Sequence, residues 1–386
     1  MFTENRILTL DGWRGIAILL VLAEHAAAKR YEYQTWASLG SLGVDIFFVL
    51  SGFIITSRLI EERTKSSTID LPGFYIRRAF RILPLVVCYL CVICALGAFF
   101  PLDIRHSQIA ASLFFFRNYL YASHHDGIYT THFWSLSIEE HFYLLWPAML
   151  LRFGNRRALW IAAIGACACA MWRIYDLGHP MGPIGRFLPG ATMGLRTLRT
   201  DTRLDGLLLG STLAILLTDR RVRDFIQRNF PKETPLLCGT LLILNEQWLG
   251  GRATLTNYIL ISLMIASTLM VHEGLVYKWL KFRPLVWIGT ISYSLYIWQQ
   301  LFLLHPPGNI SLAVFSVAPL NIISAFAIAS CSYYLIERPI IRLAHRWSNR
   351  SPANSVTDTT AGVNSSAVYP INVYEVAALP SPSLAD

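Results

Sequence analysis

Charge is what this sequence has least of. Only 15% of its 386 residues are Asp, Glu, Lys or Arg, while 54% are hydrophobic and the mean hydropathy is +0.44. Soluble domains carry about a quarter charged residues, so the composition argues against one. Before residue 346 long polar stretches are scarce as well: apolar runs of about 16 to 23 residues alternate with short charged loops, the pattern of a polytopic helical membrane protein. No cleavable leader is expected either. Residues 1–11 hold no short apolar core, and the run that follows lacks a small-residue cleavage site, which makes it a retained first span. No internal repeat is evident. The seven cysteines are odd in number and sit almost wholly in apolar runs, Cys88, Cys91 and Cys94 among them, where they serve as small hydrophobes. His124 and His125 have no further ligands nearby in sequence, so neither a metal nor a permanently bound cofactor is expected.

What is present is a set of apolar runs near residues 9–28, 40–59, 83–101, 133–151, 158–175, 203–218, 234–249, 254–272, 285–304 and 313–336. They predict an all-α bundle of about ten transmembrane helices within residues 1–345. The segment 106–121 is apolar around SLFFF but is interrupted by Arg117 and Asn118, which predicts a re-entrant or surface helix instead of a span. With the N-terminus inside, 23 of the 33 Lys and Arg residues fall in inner segments and nine in outer ones. That bias puts both termini in the cytoplasm. The net charge of +9 is then an orientation signal and gives no reason to expect nucleic acid. Residues 346–386, rich in Ser, Thr, Ala and Pro, predict a polar, disordered cytoplasmic tail with no second domain.

The stretch LDGWRGIAILLVLAEH raises the chemical question. Eleven residues carry a helix through three turns plus about 20°, so Arg14 and His25 share a face, roughly 16 Å apart along the axis. Charge inside a bilayer costs about 2.5 to 3.5 kcal/mol per group at the centre, so such groups face a cavity or a partner. Counted by depth, His25, Asp45 of GVDIFFVLSGF, and Glu139 and Glu140 of FWSLSIEEHFYLLWP converge toward the outer half of the bundle. Imidazole titrates near neutrality, and a neighbouring carboxylate fixes its tautomer, which makes His25 the candidate base and Asp45 its orienting partner. The competing reading is a His25–Asp45 pair that only holds two helices together.

On the inner side, FYIRRAFRILP places Arg78 and Arg81 on one helix face, with Pro84 at the start of the third span. A planar guanidinium forks onto phosphate, while anchoring to lipid headgroups is the plainer explanation of the cluster. Arg203 and Asp205 of TRLDGLLLGS open the sixth span, either as a structural pair or as contacts for a polar ligand. Tyr293, Tyr296 and Gln299 recur at three-residue intervals in ISYSLYIWQQ, so they line a cavity or belong to an aromatic belt.

Seven pieces then occur in order across residues 10–340: Arg14 with His25, GVDIFFVLSGFII, Arg78 with Arg81, FWSLSIEEHFYLLWP, RLDGLLLG, IGTISYSLYIW and YYLIERPI. In these the chain resembles the acyltransferase 3 family, bacterial inner-membrane proteins that O-acylate carbohydrates. The resemblance implies an O-acyltransferase that takes an acyl group, commonly acetyl, from cytoplasmic acyl-CoA as co-substrate. The acceptor would be a hydroxyl of a carbohydrate or lipid-linked glycan, such as O-antigen, exopolysaccharide or another surface saccharide. His25, Asp45, Glu139 and Glu140 are then the catalytic set. Arg14, Arg78 and Arg81 serve the donor, and Ser51, Arg203, Asp205 and Tyr293 complete the binding set. The chain departs from the family at Gln299, where histidine is common. Larger relatives append an esterase-like domain, for which no room is expected here. A transporter or flippase would also need buried charge, but not the paired arginine and histidine features.

Overall fold

In a computed structural model of the chain, the described residues are 7–27, 34–100, 102, 104–120, 127–179, 198–249, 254–303 and 318–348. The tail beyond 348, His124 and His125 lie outside them. The helices are α1 (Leu8–Ala27), α2 (Gln34–Ser66), α3 (Leu71–Phe99), α4 (His106–Leu113), α5 (Phe133–Gly178), α6 (Thr200–Arg203), α7 (Asp205–Leu216), α8 (Arg220–Asn229), α9 (Thr234–Leu249), α10 (Thr254–Met270), α11 (Leu275–Leu280), α12 (Arg283–Thr290), α13 (Ser292–Leu303), α14 (Leu320–Ser332) and α15 (Arg338–Ser348). Among the described residues there is no strand. Four segments are long and apolar enough to cross a membrane: Gly40–Ser66, Leu71–Phe99, Ile128–Gly178 and Leu320–Ala344. The chain is therefore a multi-pass, all-helical membrane protein. The 20-residue α1 carries Asp11, Arg14 and Glu24, while α7 and α10 are apolar but shorter.

Several boundaries differ from the hydropathy runs for identifiable reasons. Helix α3 starts twelve residues before the predicted third span because Asp70 caps it, its carboxylate accepting from Gly73 N at 3.0 Å, and Pro72 sits in the first turn, where its missing N–H costs nothing. Pro84 thus lies inside α3 and does not open it. The predicted fourth and fifth spans follow one another without a loop as the two arms of α5, which meet at the non-helical backbone of Gly154 (φ 70°, ψ 172°), a conformation that favours glycine. The predicted ninth span is broken at Ile291 between α12 and α13. The segment 106–121 folds as the short α4 and a single 3-10 turn, Arg117–Tyr119, with Arg117 and Asn118 buried. It is too short to span.

By contact the chain forms two units, the first holding 7–67 and 149–292 and the second 68–148 and 293–348. In the first, α1 packs on α2 and α12, α2 on α7, and α9 on α10, with Trp13 Nε1 donating to Thr268 Oγ1 at 3.0 Å. Trp160, Ile164, Cys167, Met171 and Ile174 are exposed along α5, while Ala158, Ala162, Ala166 and Ala170 are buried. Spacings of three and four residues sort these into a lipid-facing apolar stripe and a small-residue packing face. In the second unit, Tyr75 Oη donates to Leu144 O at 2.8 Å and Tyr89 Oη to Tyr129 O at 2.6 Å. Trp298 Nε1 donates to Ser332 Oγ at 3.0 Å, and α15 packs on α3. The YYLIE part of YYLIERPI winds as a π-turn, Tyr333–Glu337. Pro339, two residues on, has no N–H for the Leu335 carbonyl, which fits the wider turn.

Candidate active site

In the first unit, Arg14 and His25 are both half-buried on the same face of α1, as predicted. Between them on that face, however, lie Ile18 and Val21, 0% and 1% exposed. The face therefore has two polar ends and a buried apolar middle. Arg14 Nη1 lies 4.0 Å from Asp11 Oδ1, one turn back. Glu24 precedes His25 and lies against Gly40 of α2. It is an ionisable group beside the candidate base that depth counting passed over.

Asp45 is buried on α2 and pairs with Arg203, Oδ1 to Nη2 3.3 Å. Asp205 is fully buried and pairs with Arg173 of α5, Oδ2 to Nη2 2.8 Å. The sequence left Arg203 and Asp205 either as a structural pair or as contacts for a polar ligand. Each ion-pairs elsewhere, because residues two apart straddling the break at Leu204 point to different neighbours. Two motifs meet along the α2–α7 seam. A Cβ on Gly52 would collide with the Leu207 carbonyl, and one on Gly210 with the Val49 carbonyl. Thr56 Oγ1 donates to Ser211 Oγ at 2.9 Å in the same seam. Ser51, half-buried, stands on α2 next to Gly52. Arg173, absent from the candidate residues read from the sequence, belongs to this site. So do the buried Tyr258 and the chain Asn245 to Asn257 to Glu246, with N–O distances of 2.6 and 2.5 Å.

In the second unit, Arg78 lies between the acidic pair, 3.7 Å from Glu139 Oε2 and 3.5 Å from Glu140 Oε1. Its guanidinium stacks on Tyr143, 3.6 Å from the ring centroid, and Tyr143 Oη donates to Glu139 Oε2 at 3.2 Å. The expectation that Arg78 stands at the inner face and the two glutamates toward the outer one is overturned. Because α3 begins at Leu71, Arg78 is already two turns inside the helix and level with them. Arg81, one turn on, is half-buried. Tyr293 Oη donates to Ile82 O at 2.9 Å, and Tyr296 Oη to His132 O at 2.9 Å. Both tyrosines thus clamp helices together. Gln299 is buried, and Gln300 makes the notable contact, its Oε1 2.7 Å from His132 Nδ1. An amide oxygen can only accept, so Nδ1 carries the proton in this contact. His132 precedes FWSLSIEEH and had no periodic signal of its own. Among the described residues no group of His, Cys, Asp and Glu is placed to hold a metal.

Residues 7–337 match a family model described as an acyltransferase domain. The chain is 30% identical over 366 residues to peptidoglycan O-acetyltransferase OatA of Listeria monocytogenes, covering 88% of this chain and 56% of that protein. It is 30% identical over 373 residues to O-acetyltransferase OatA of Staphylococcus aureus, covering 88% and 58%. To the putative peptidoglycan O-acetyltransferase YrhL of Bacillus subtilis it is 29% identical over 363 residues, covering 86% and 54%. The chain thus spans little more than half the length of these relatives. No solved structure matches. With the ordered motifs and the match over nearly all of the helical region, the chain belongs to the acyltransferase 3 family.

Proposed function

We propose that the chain is a membrane O-acyltransferase that moves an acetyl group to a hydroxyl of a surface glycan. The observation that carries this is the family match across residues 7–337, joined to relatives whose names specify O-acetylation of peptidoglycan. Peptidoglycan is accordingly the first acceptor to try, ahead of O-antigen or exopolysaccharide. The proposed donor is a cytoplasmic acyl-CoA, and the proposed setting is a bundle of about ten spans in a bacterial inner membrane with both termini inside.

His25 acts as general base. It takes the proton of the acceptor hydroxyl as that oxygen bonds to the thioester carbonyl carbon. Collapse of the tetrahedral adduct breaks the carbon–sulfur bond, and the proton held by His25 passes to the departing thiolate. Arg14 meets polar groups of the donor. Asp45, paired with Arg203, fixes α2 against the start of α7 and is the carboxylate proposed to orient His25. Arg78 organises Glu139, Glu140 and Tyr143, which leaves Arg81 as the guanidinium for donor phosphate.

The test uses purified full-length protein, labelled acetyl-CoA and soluble peptidoglycan fragments. Wild type is expected to transfer label. His25→Ala should lose transfer at unchanged expression and membrane insertion. Full transfer by a well-inserted His25→Ala protein removes His25 from the mechanism.

A further inference from the structure

Two short amphipathic helices in the first unit have no place in the acyl-transfer chemistry. Helix α8, RRVRDFIQRN, buries Ile226 but leaves Phe225 59% exposed. Arg221, Arg228 and Lys232, just beyond its end, are exposed beside it. Helix α11 and the turn after it leave Trp279 59% and Phe282 52% exposed, among the exposed Lys278, Lys281 and Arg283.

The two patches form one surface. Gln227 Nε2 of α8 donates to Met270 O at 3.4 Å, shortly before α11. Gly274, which opens α11 at φ 93°, lies so close to Lys232 that a Cβ there would come within 2.9 Å of the Lys232 carbonyl oxygen. The platform is also tied to the helix behind it. Arg223 Nη1 donates to Leu217 O at 2.7 Å and Thr218 O at 3.1 Å, closing the C-terminal end of α7.

We propose that this surface lies in the membrane plane and binds anionic phospholipid headgroups. The charge argues for a phosphate-bearing partner. The rings decide which kind: a soluble polyphosphate is held by charge and donors alone, whereas exposed Phe and Trp between cations fit the boundary between headgroups and acyl chains. Neither helix is long enough to span, so each rests on the bilayer with its apolar residues facing inward. The inference is independent of the acyl-transfer reading, and its readout is lipid binding.

Full-length protein in neutral detergent is titrated with phosphatidylglycerol or phosphatidylcholine, and bound lipid is counted by native mass spectrometry. Wild type is expected to retain phosphatidylglycerol preferentially. Each cation near an anionic surface contributes roughly fivefold, so the triple variant Arg221→Gln, Arg228→Gln, Lys281→Gln should bind it on the order of a hundredfold more weakly. Phe225→Ser with Trp279→Ser should weaken both lipids. The single replacements Arg221→Glu and Lys281→Glu carry the same test if the triple variant does not fold. Equal retention of the two lipids, or wild-type retention by the charge variants, overturns the proposal. So does displacement of phosphatidylglycerol by inorganic tripolyphosphate with no effect of the aromatic replacements, which would assign the surface to a soluble polyanion.

Discussion

Arg78 and Arg81 look equivalent in sequence, and their neighbours make them different. Arg78 is stacked on Tyr143 and shared by two carboxylates, a geometry that lysine, with a compact ammonium, cannot reproduce. Arg78→Lys should lower stability by about 1 to 2 kcal/mol, the scale of a desolvated cation–π contact, while leaving donor affinity intact. Arg81→Lys should do the reverse, weakening donor binding about tenfold, the effect of one charge-assisted hydrogen bond. Thermal unfolding and donor titration of both variants separate the roles, and weaker donor binding by Arg78→Lys would return it to the donor site. The same logic applies to Asp205. If its pairing with Arg173 is structural, Asp205→Asn leaves a buried cation uncompensated and costs about 3 to 5 kcal/mol, whereas Asp205→Leu with Arg173→Met recovers most of it. A stable Asp205→Asn protein with weakened acceptor binding would instead make Asp205 a ligand contact. The ionisable side chains themselves were legible in the sequence, because charge in an apolar run announces itself. Their partners were not: Asp45 with Arg203 and Asp205 with Arg173 are separated by 158 and 32 residues, and nothing local specifies such pairings.

At the scale of the helix, apolar runs located most elements, α9 and α10 nearly to the residue. They failed at the start of α3, where a polar turn belongs to the helix. Its signal was present in the Asp70–Leu71–Pro72 cap, which hydropathy does not weigh. Gly52 of GVDIFFVLSGF and Gly210 of RLDGLLLG are explained only by packing, since the backbones of α2 and α7 approach too closely there for a side chain. Gly52→Val should therefore lower the unfolding midpoint, with a cost of about 1 to 3 kcal/mol or more for overpacking. Gly239→Ala on α9 is the control: its Cβ would sit 3.7 Å from Met264 Cε, an ordinary contact, and alanine suits a helix interior better by up to about 1 kcal/mol. An unaffected Gly52→Val protein would show that α2 and α7 separate more readily than their contact implies.

For the molecule as a whole, orientation governs what the chemistry can accomplish. The excess of cations in alternate loops argues that 219–233 faces the cytoplasm and that 122–132, which has no Lys or Arg, faces outward. The basic surface of α8 agrees with that assignment, because juxtamembrane cations favour the anionic cytoplasmic leaflet. Helix α5, 46 residues broken at Gly154, is about 69 Å of helix at 1.5 Å per residue, more than twice the thickness of a hydrocarbon core. It supplies length for two crossings, as the ten-span count requires. In a cysteine-free background, Asp126→Cys and Arg228→Cys can each be probed in intact cells with an impermeant thiol reagent. Labelling is expected at 126 and, only after the membrane is opened, at 228. The opposite pattern would invert the bundle and put the His25 end of α1 on the cytoplasmic side. An acetyl group handed from an internal donor to an external glycan would then have to cross by some route other than this base.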